Sequence, residues 1–391
     1  MKKDKELFVY VSAWAARGGS PGLGMFTLNG ETGELTFVKQ INEDVSFGNF
    51  FTQPDINRLY LCNEDDLSGE LGYSSGRLYQ YEVEPQSGDL EEISKTETLC
   101  ANPTGMCTDM SGKYMVVSNH STPGGFTSEI AKDESGKYYP AVHYNEAVVE
   151  LFSLDEDGKP DRLLDVARHG SSRDNHVNSV ARAPGENLFA ACDKGDGNLY
   201  MYRLDTENEK LVLVNKVSTI GQGGHPRVCV FHPDPETPLL FVNHEAALNG
   251  RMEVCAFSYT SDGGLTKAFT RNTLPAEYPL VENKLEQQGM SIHPKGMALY
   301  TVQHGNNAIC VLGVDPFTGA LCILQNISVP GMWPRGCAVS SDGRWLGVAC
   351  RNSDEVFIYK IELDGKLSGP VSSGKLKGAA SLTFYDTAEG R

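Results

Sequence analysis

The stretch Gly223 to Gly250, GGHPRVCVFHPDPETPLLFVNHEAALNG, decides the fold because weaker copies of its pattern recur along the chain. It contains a Pro/Gly turn, a short apolar run at Val228 to Phe231, a His-Pro turn and a second apolar run at Leu239 to Val242. Two such runs joined by a tight connection predict two antiparallel strands, the first of them buried. Each copy therefore predicts one supersecondary unit.

The same order of turn, apolar run, turn and apolar run begins again at Pro103, His176, Gly289 and Pro334. A third apolar run follows each pair, as at Ile309 to Leu312, and a Gly-bearing turn then leads to a fourth. Four strands per unit, repeated without helices, predict an all-β fold made of the blades of a β-propeller.

Seven units can be counted, and the first is incomplete. Its runs at Leu7 to Val11, Met25 to Leu28 and Leu35 to Val38 lack an inner strand, and the run Ala379 to Tyr385 follows the last complete unit. We expect this C-terminal strand to close the first blade, because closure removes the open edge of a linear repeat. The prediction is a single seven-bladed β-propeller domain over residues 1–391, with four antiparallel strands per blade.

Two segments depart from the repeat. An insertion at about residues 120–145 in blade three is too long for an ordinary turn, and we expect it either to cover a site or to make a subunit contact. The segment Ala276 to Gln288, between units five and six, carries three glutamates that include Glu286. Its composition predicts a solvated connector.

Composition limits the partners. A net charge of −17 and a pI near 5.0 disfavour nucleic acid and anionic membrane surfaces as general partners. The N-terminus resembles neither a signal peptide nor a membrane span, and most of the ten cysteines lie in apolar runs without CxxC spacing, so we expect a cytoplasmic protein with reduced thiols. The spacing of the histidines does not suggest a metal site, and no nucleotide-binding loop occurs, so no cofactor is predicted. The sequence leaves the oligomeric state open.

Over nearly its whole length the chain resembles the seven-bladed lactonase family, which includes bacterial propeller-type 6-phosphogluconolactonases and fungal carboxymuconate-cyclising enzymes. The resemblance is carried by Gly223-x-x-Pro226-Arg227 with Phe231-His-Pro233 and Glu245, by Ile292-His-Pro294 with Leu299-Tyr300, and by Pro334-Arg335 with Ser341-Asp-Gly-Arg344. It implies a carboxylic-ester hydrolase that opens a small anionic or sugar-acid lactone, such as 6-phosphogluconolactone, at one mouth of the propeller channel.

The resemblance also implies the site. Lactone opening needs a cation against developing oxyanion charge and a group that moves a proton. Arg227 and Glu245 match the family's active-site positions, and without the resemblance they would equally suit a structural ion pair. Asn178 stands where the related enzymes carry a catalytic histidine, with His176 two residues away on the same side of the strand.

The expected catalytic residues are therefore Arg227, Glu245 and His176. The expected substrate-binding residues are Asn178, Gln303, His304 and Arg335, with Gln303-His304-Gly305 standing where the family has Asn-Arg-Gly. Two alternatives stay open: a cyclase or isomerase acting on a dicarboxylate, and a non-catalytic propeller that binds a metabolite or a protein through the same mouth.

Overall fold

The structure is a computed structural model that describes residues 6–14, 22–64, 75–122, 125–170, 176–219, 225–246, 251–274 and 285–386. The first two and last four residues of the stretch 223–250 therefore lie outside the described residues, as does most of the segment 276–288. Thirty strands and a single 3₁₀ turn are present in these ranges. The turn, Pro54–Ile56, is too short to cross a bilayer, and no helix in the described ranges could do so.

The elements follow in chain order. The first half comprises β1 (Glu6–Ala13), β2 (Gly22–Asn29), β3 (Leu35–Ile41), β4 (Phe47–Gln53), β5 (Arg58–Asn63), β6 (Gly76–Val83), β7 (Leu90–Thr98), β8 (Pro103–Thr108), β9 (Tyr114–Asn119), β10 (Phe126–Lys132), β11 (Tyr138–Tyr144), β12 (Val148–Leu154), β13 (Pro160–Arg168), β14 (Val177–Arg182) and β15 (Leu188–Asp193). The second half comprises β16 (Asn198–Asp205), β17 (Lys210–Ser218), β18 (Pro226–Phe231), β19 (Leu239–His244), β20 (Glu253–Tyr259), β21 (Leu265–Asn272), β22 (Glu286–Ile292), β23 (Ala298–His304), β24 (Ala308–Val314), β25 (Leu321–Ser328), β26 (Pro334–Val339), β27 (Trp345–Cys350), β28 (Glu355–Ile361), β29 (Leu367–Lys375) and β30 (Ala379–Tyr385).

Seven four-stranded antiparallel sheets form the blades, which confirms the predicted fold class. Blade one is β30-β1-β2-β3, and the next six blades begin with the inner strands β4, β8, β14, β18, β22 and β26. The C-terminal strand β30 pairs with β1, from Phe8 opposite Tyr385 to Ala13 opposite Ala379. The predicted closure of the first blade is therefore confirmed, and its strand has the predicted bounds.

The core is divided among the faces between neighbouring blades. Because side chains alternate along a strand, one face of each blade packs on the previous blade and the other face on the next. Along β1, for example, Leu7 and Val9 join a cluster with Trp345 of blade seven, whereas Phe8 and Tyr10 join a cluster with blade two. Buried apolar clusters of this kind join each adjacent pair of blades.

Hydrogen bonds repeat across the blade boundaries as well. Three tyrosines on the second strand of their blades, Tyr10, Tyr60 and Tyr300, each donate a hydrogen bond to a glycine carbonyl in the outer turn of the next blade, at 2.7 to 2.9 Å. All ten cysteines are free, and none forms a disulfide. The propeller is thus held by packing and hydrogen bonds between blades.

The insertion of blade three forms a hairpin outside the blade. Strands β10 and β11 pair only with each other, with Phe126 opposite Tyr144 and Lys132 opposite Tyr138. Most of the hairpin is exposed, including Ile130. Its predicted role as a cover or a subunit contact stays a prediction.

Candidate active site

A bulge in every inner strand positions side chains at one mouth of the channel. In each blade the inner strand holds one residue more than its partner at the same level, for instance Arg227 between the paired residues Pro226 and Val228. Such a bulge re-aims a side chain and is common beside active sites. The residues at the seven bulges are Asn49, Thr104, Asn178, Arg227, Gln288, Arg335 and Ala380.

A second ring of side chains comes from the mouth end of the second strand of each blade. In six blades this residue lines the same cavity as the bulges, and in blade six it lies directly behind the lining. The ring consists of Trp14, Glu64, His120, Lys194, Glu245, His304 and Arg351. We call the first ring the bulge ring and the second the strand-end ring.

Six residues of each ring, all except Ala380 and His304, line a cavity of about 420 Å³. A narrower space of about 190 Å³ continues from it down the channel and is lined by the inner strands of all seven blades. Glycines let those strands approach: a Cβ on Gly336 would lie 2.7 Å from the carbonyl oxygen of Ala380 on the neighbouring inner strand. The cavity size is typical of a small-molecule site.

The charge of the mouth differs from that of the chain. Among the residues that the structure describes, four cationic side chains line the cavity, Lys194, Arg227, Arg335 and Arg351, together with the three carboxylates Glu64, Glu245 and Glu286. The whole chain, in contrast, carries a formal charge of −17. Walls of low dielectric constant strengthen the field of such a cluster, so the cavity favours an anionic ligand.

Glu245 is clamped between two of these cations. One of its oxygens lies 2.6 Å from Nη1 of Arg227 and 3.0 Å from Nζ of Lys194. Burial alone would raise the pKa of Glu245, but the charges of Arg227 and Lys194 and their hydrogen bonds lower it well below its ordinary value. Glu245 is therefore a fixed negative charge and a poor proton acceptor.

Two histidines stack beside this cluster. The rings of His120 and His176 are parallel, with centroids 4.2 Å apart. Nδ1 of His120 donates to the carbonyl of Ser121 at 3.3 Å, and Nδ1 of His176 donates to the carbonyl of His120 at 2.9 Å. Burial, reinforced by the charges of Lys194 and His176, lowers the pKa of His120 well below its ordinary value. His120 is thus neutral, with the lone pair on Nε2.

A buried polar network supports the positions of Lys194 and His176. Asp193, which precedes Lys194, accepts hydrogen bonds from the backbone N–H of His176 at 2.9 Å and from Nδ1 of His169 at 3.0 Å. Nε2 of His169 in turn pairs with the hydroxyl of Tyr202 at 2.7 Å. Asp193 and His169 have fully buried side chains, so the network fixes the backbone of Lys194 and His176, which are hydrogen-bonded neighbours in blade four.

The opposite wall is aromatic and cationic. The guanidinium groups of Arg335 and Arg351 lie 4.8 and 4.3 Å from the ring centroid of Trp14, and Arg335 pairs with Glu64. Such stacking holds the plane of each guanidinium group. This wall is suited to an anionic group.

The predicted site residues fall into two groups. Asn178, Arg227, Glu245 and Arg335 line the cavity together. His176, Gln303 and His304 lie one layer back, because His176 stacks behind His120, Gln303 is fully buried, and His304 is 1% exposed.

His304 and the connector need a closer description. The ring of His304 stacks on Trp333 at 3.9 Å, and its Nε2 lies 2.7 Å from a carboxylate oxygen of Glu286. Glu286 is the first residue of β22 and lines the cavity. The prediction that Glu286 belongs to a solvated connector is therefore wrong. Glu286 pairs with His304, so the inner strand of blade six begins three residues earlier than the motif at Gly289 indicated. Glu277 and Glu282 of that segment lie outside the described residues.

Sequence reasoning missed several lining residues. None of Trp14, Glu64, His120 and Lys194 was assigned to the site. One signal could have identified all four, since each directly follows the second strand of its blade. The same offset also yields Glu245 and Arg351.

Comparisons with known proteins agree with this architecture. A sequence profile described as "Lactonase, 7-bladed beta-propeller" matches residues 8–384. A 6-phosphogluconolactonase of Formosa agariphila is 22% identical over 388 residues, which cover 96% of this chain and 99% of the relative. A 6-phosphogluconolactonase of Bacillus subtilis is 23% identical over 337 residues, which cover 83% of each chain. The solved structure of a periplasmic gluconolactonase of Pseudomonas aeruginosa superposes with a TM-score of 0.79 at 23% identity, covering 97% of this chain and 99% of that one, which shows a shared fold.

Proposed function

We propose, from the premise that the chain belongs to the family of seven-bladed β-propeller lactonases, that it is an enzyme hydrolysing a sugar-acid lactone in the mouth cavity. The observation that carries the proposal is the convergence of four cationic side chains in one cavity of a strongly acidic chain. The relatives named 6-phosphogluconolactonase support a phosphorylated aldonolactone as the substrate.

Arg227 and Lys194 are the groups proposed to stabilise the oxyanion that forms on the lactone carbonyl oxygen. In lactone hydrolysis the oxygen of water attacks the ring carbonyl, the carbonyl oxygen becomes negative, and the ring C–O bond then breaks. Two cations held by the ionised Glu245 stabilise that negative charge without reorganising as it forms. In this proposal Glu245 orients Arg227 and Lys194 and moves no proton.

His120 is the proposed general base. Its Nδ1 donates to the Ser121 carbonyl at 3.3 Å, so Nε2 is the ring atom that can accept a proton from the attacking water. The lowered pKa of His120 keeps the ring neutral before the reaction and makes it a weaker base than a free imidazole. Protonated His120 then donates this proton to the ring oxygen as the C–O bond breaks, and the product is the open-chain hydroxy acid. His176, stacked on His120, holds the ring in place and is proposed as a positioning residue.

The wall of Arg335, Arg351 and Trp14 is the proposed seat of the substrate's phosphate. Arginine matches the geometry of phosphate oxygens and pairs with them in a bidentate manner. Trp14 holds both guanidinium groups through its ring. This arrangement predicts a preference for a phosphorylated lactone over its unphosphorylated counterpart.

The test is hydrolysis of 6-phosphogluconolactone and gluconolactone, corrected for spontaneous opening. We expect His120→Gln and Arg227→Ala each to lower kcat/KM by about 10² to 10⁴. The control Arg162→Ala, an exposed arginine of blade three, should leave kcat/KM unchanged. A wild-type protein that accelerates neither lactone would refute the proposal and favour a non-catalytic binding role; full activity of His120→Gln would refute the role of His120 alone.

A further inference from the structure

Glu286 differs from the other two carboxylates that line the mouth cavity. Glu64 and Glu245 each form an ion pair with at least one arginine. Within the described ranges of the chain, Glu286 forms no ion pair with a lysine or an arginine, and its charged neighbour is a histidine. The cavity therefore contains a carboxylate that is not paired with any of its four strong cations.

The two oxygens of Glu286 have different surroundings. Nε2 of His304 donates to Oε2 at 2.7 Å, and Nε2 of Gln288 donates to the same oxygen at 3.0 Å. Oε1 accepts no hydrogen bond from the residues that the structure describes, and it is not enclosed by protein atoms. The side chain is 30% exposed and lines the cavity. Oε1 is thus an acceptor that a ligand in the mouth can reach.

The neighbours of Glu286 hold its carboxylate in place. Its backbone pairs with His304 in the ladder of blade six and forms an isolated bridge to Ala246, the residue after Glu245. The ring of His304 is itself fixed, because it stacks on Trp333 at 3.9 Å and is 1% exposed. A carboxylate held in this way loses little conformational entropy when it binds a ligand.

Glu286 lies between the two ends of the proposed substrate site. Blade six packs between blade five, which carries the oxyanion group Arg227, and blade seven, which carries the phosphate groups Arg335 and Arg351. An aldonolactone phosphate has its carbonyl at one end, its phosphate at the other and hydroxyl groups on the carbons between them. A substrate that spans from blade five to blade seven therefore presents its hydroxyl groups to blade six.

A fixed carboxylate oxygen binds a hydroxyl group and excludes a second anion. It only accepts hydrogen bonds, and a hydrogen bond from a neutral O–H to a carboxylate is stronger than one between two neutral groups. A ligand carboxylate at the same place would meet a like charge with no donor between the two groups. A site that binds a substrate hydroxyl in this way also discriminates against analogues that lack the hydroxyl.

We propose that Glu286 selects the substrate class of the mouth: polyhydroxylated lactones, whose ring hydroxyl donates to Oε1, in preference to lactones without hydroxyl groups and to dicarboxylates. This inference rests on the proposed lactonase function and deepens it. His304 and Gln288 act through Glu286 and are positioning residues. A cyclase or isomerase acting on a dicarboxylate is disfavoured, because the second carboxylate of its substrate would face Glu286.

The substitution Glu286→Gln reverses the hydrogen bonding of this side chain. His304 and Gln288 both donate, so they hold the amide oxygen of the new side chain in the place of Oε2. Its NH₂ group then takes the place of Oε1, and an acceptor becomes a donor. The substitution keeps the shape of the side chain and both buried hydrogen bonds, so the variant should fold.

The kinetic test compares hydrolysis of gluconolactone with that of δ-valerolactone, which has no hydroxyl groups, after correction for spontaneous opening. The ratio of kcat/KM for gluconolactone to kcat/KM for δ-valerolactone should be about ten-fold lower in Glu286→Gln than in the wild type, because a charge-assisted hydrogen bond is lost. The control Glu207→Gln, an exposed acid in the β16–β17 turn, should leave the ratio unchanged. An unchanged ratio in Glu286→Gln would overturn the proposal.

Binding provides changes of opposite sign, which a poorly folded variant cannot produce. In isothermal titration calorimetry at pH 7, Glu286→Gln should bind gluconate about ten-fold more weakly and glutarate, a dicarboxylate without hydroxyl groups, about five-fold more tightly. Weaker binding of both ligands, or no change in either, would overturn the role of Glu286. A wild type that accelerates neither lactone would refute the proposed function, and the two binding constants would still decide whether Glu286 selects hydroxyl groups over anions.

Discussion

Replacing Glu245 by glutamine tests whether this residue is a clamp for two cations. The substitution keeps the shape of the side chain and removes the charge that holds Arg227 at 2.6 Å and Lys194 at 3.0 Å. The three side chains are only 13 to 20% exposed, so water compensates little for the loss. Leaving cations buried without their partner costs about 3 to 5 kcal/mol.

Thermal unfolding at pH 7 measures this cost. For a chain of this length, the expected loss corresponds to a decrease in Tm of about 4 to 6 °C. The control is Glu236→Gln, an exposed acid of the same blade, which should leave Tm unchanged within about 1 °C.

The pH dependence provides a sharper criterion. The folded-state pKa of Glu245 lies well below its ordinary value of 4.5, so its contribution to stability is fully present above pH 4.5 and is lost as the pH falls towards the folded-state pKa. At one pH unit below the ordinary pKa of 4.5, the difference in free energy of unfolding between the wild type and Glu245→Gln should be about 1.4 kcal/mol smaller than at pH 7. Equal stability at pH 7, or a difference that does not change on acidification, would refute the clamp.

Three further predictions concern the mouth and the ring closure. In steady-state assays, Arg335→Ala should raise KM for the phosphorylated lactone about ten- to hundred-fold and KM for gluconolactone less than three-fold, because a charge-assisted hydrogen bond to phosphate is lost. Equal effects on both lactones would contradict the phosphate assignment. Gly336→Ala should lower the free energy of unfolding by about 1 to 3 kcal/mol in denaturant titrations, since its Cβ would meet the Ala380 carbonyl at 2.7 Å, and a neutral result would show that the two strands can separate. Ending the chain before β30 should abolish cooperative unfolding in calorimetry because β1 is left as an open edge, whereas a sharp transition near the wild-type Tm would mean that closure adds little.

The fold was predictable because its signal is repeated. Five stretches, which begin at Pro103, His176, Gly223, Gly289 and Pro334, carry the same kind of turn and a short apolar run, and these imperfect copies reinforce one another. The closing strand, Ala379–Tyr385, could be identified because the first unit visibly lacked its inner strand. Its place after the last complete unit then assigned it to the one sheet with a missing member.

The site was predictable only where it coincided with a motif. Arg227 and Arg335 follow the Pro that starts an inner strand, so the repeat placed both at the mouth. His120 and Lys194 follow second strands that end in different sequences, and no motif marks them. His304 was expected in the cavity because Gln303-His304-Gly305 stands where the related family has Asn-Arg-Gly, but a motif does not give the depth of a side chain, and His304 lies behind the lining at 1% exposure.

The bulge ring and the strand-end ring have a consequence for how such a molecule changes in evolution. The bulge residues stand outside the ladder pairing, and most strand-end residues lie just past it, so exchanging their side chains costs the sheets few hydrogen bonds. The mouth therefore offers two side-chain positions per blade whose backbone is held by the sheets, whichever residue occupies them. Single substitutions at these positions can change the chemistry of the mouth stepwise during evolution while the seven-bladed fold is kept.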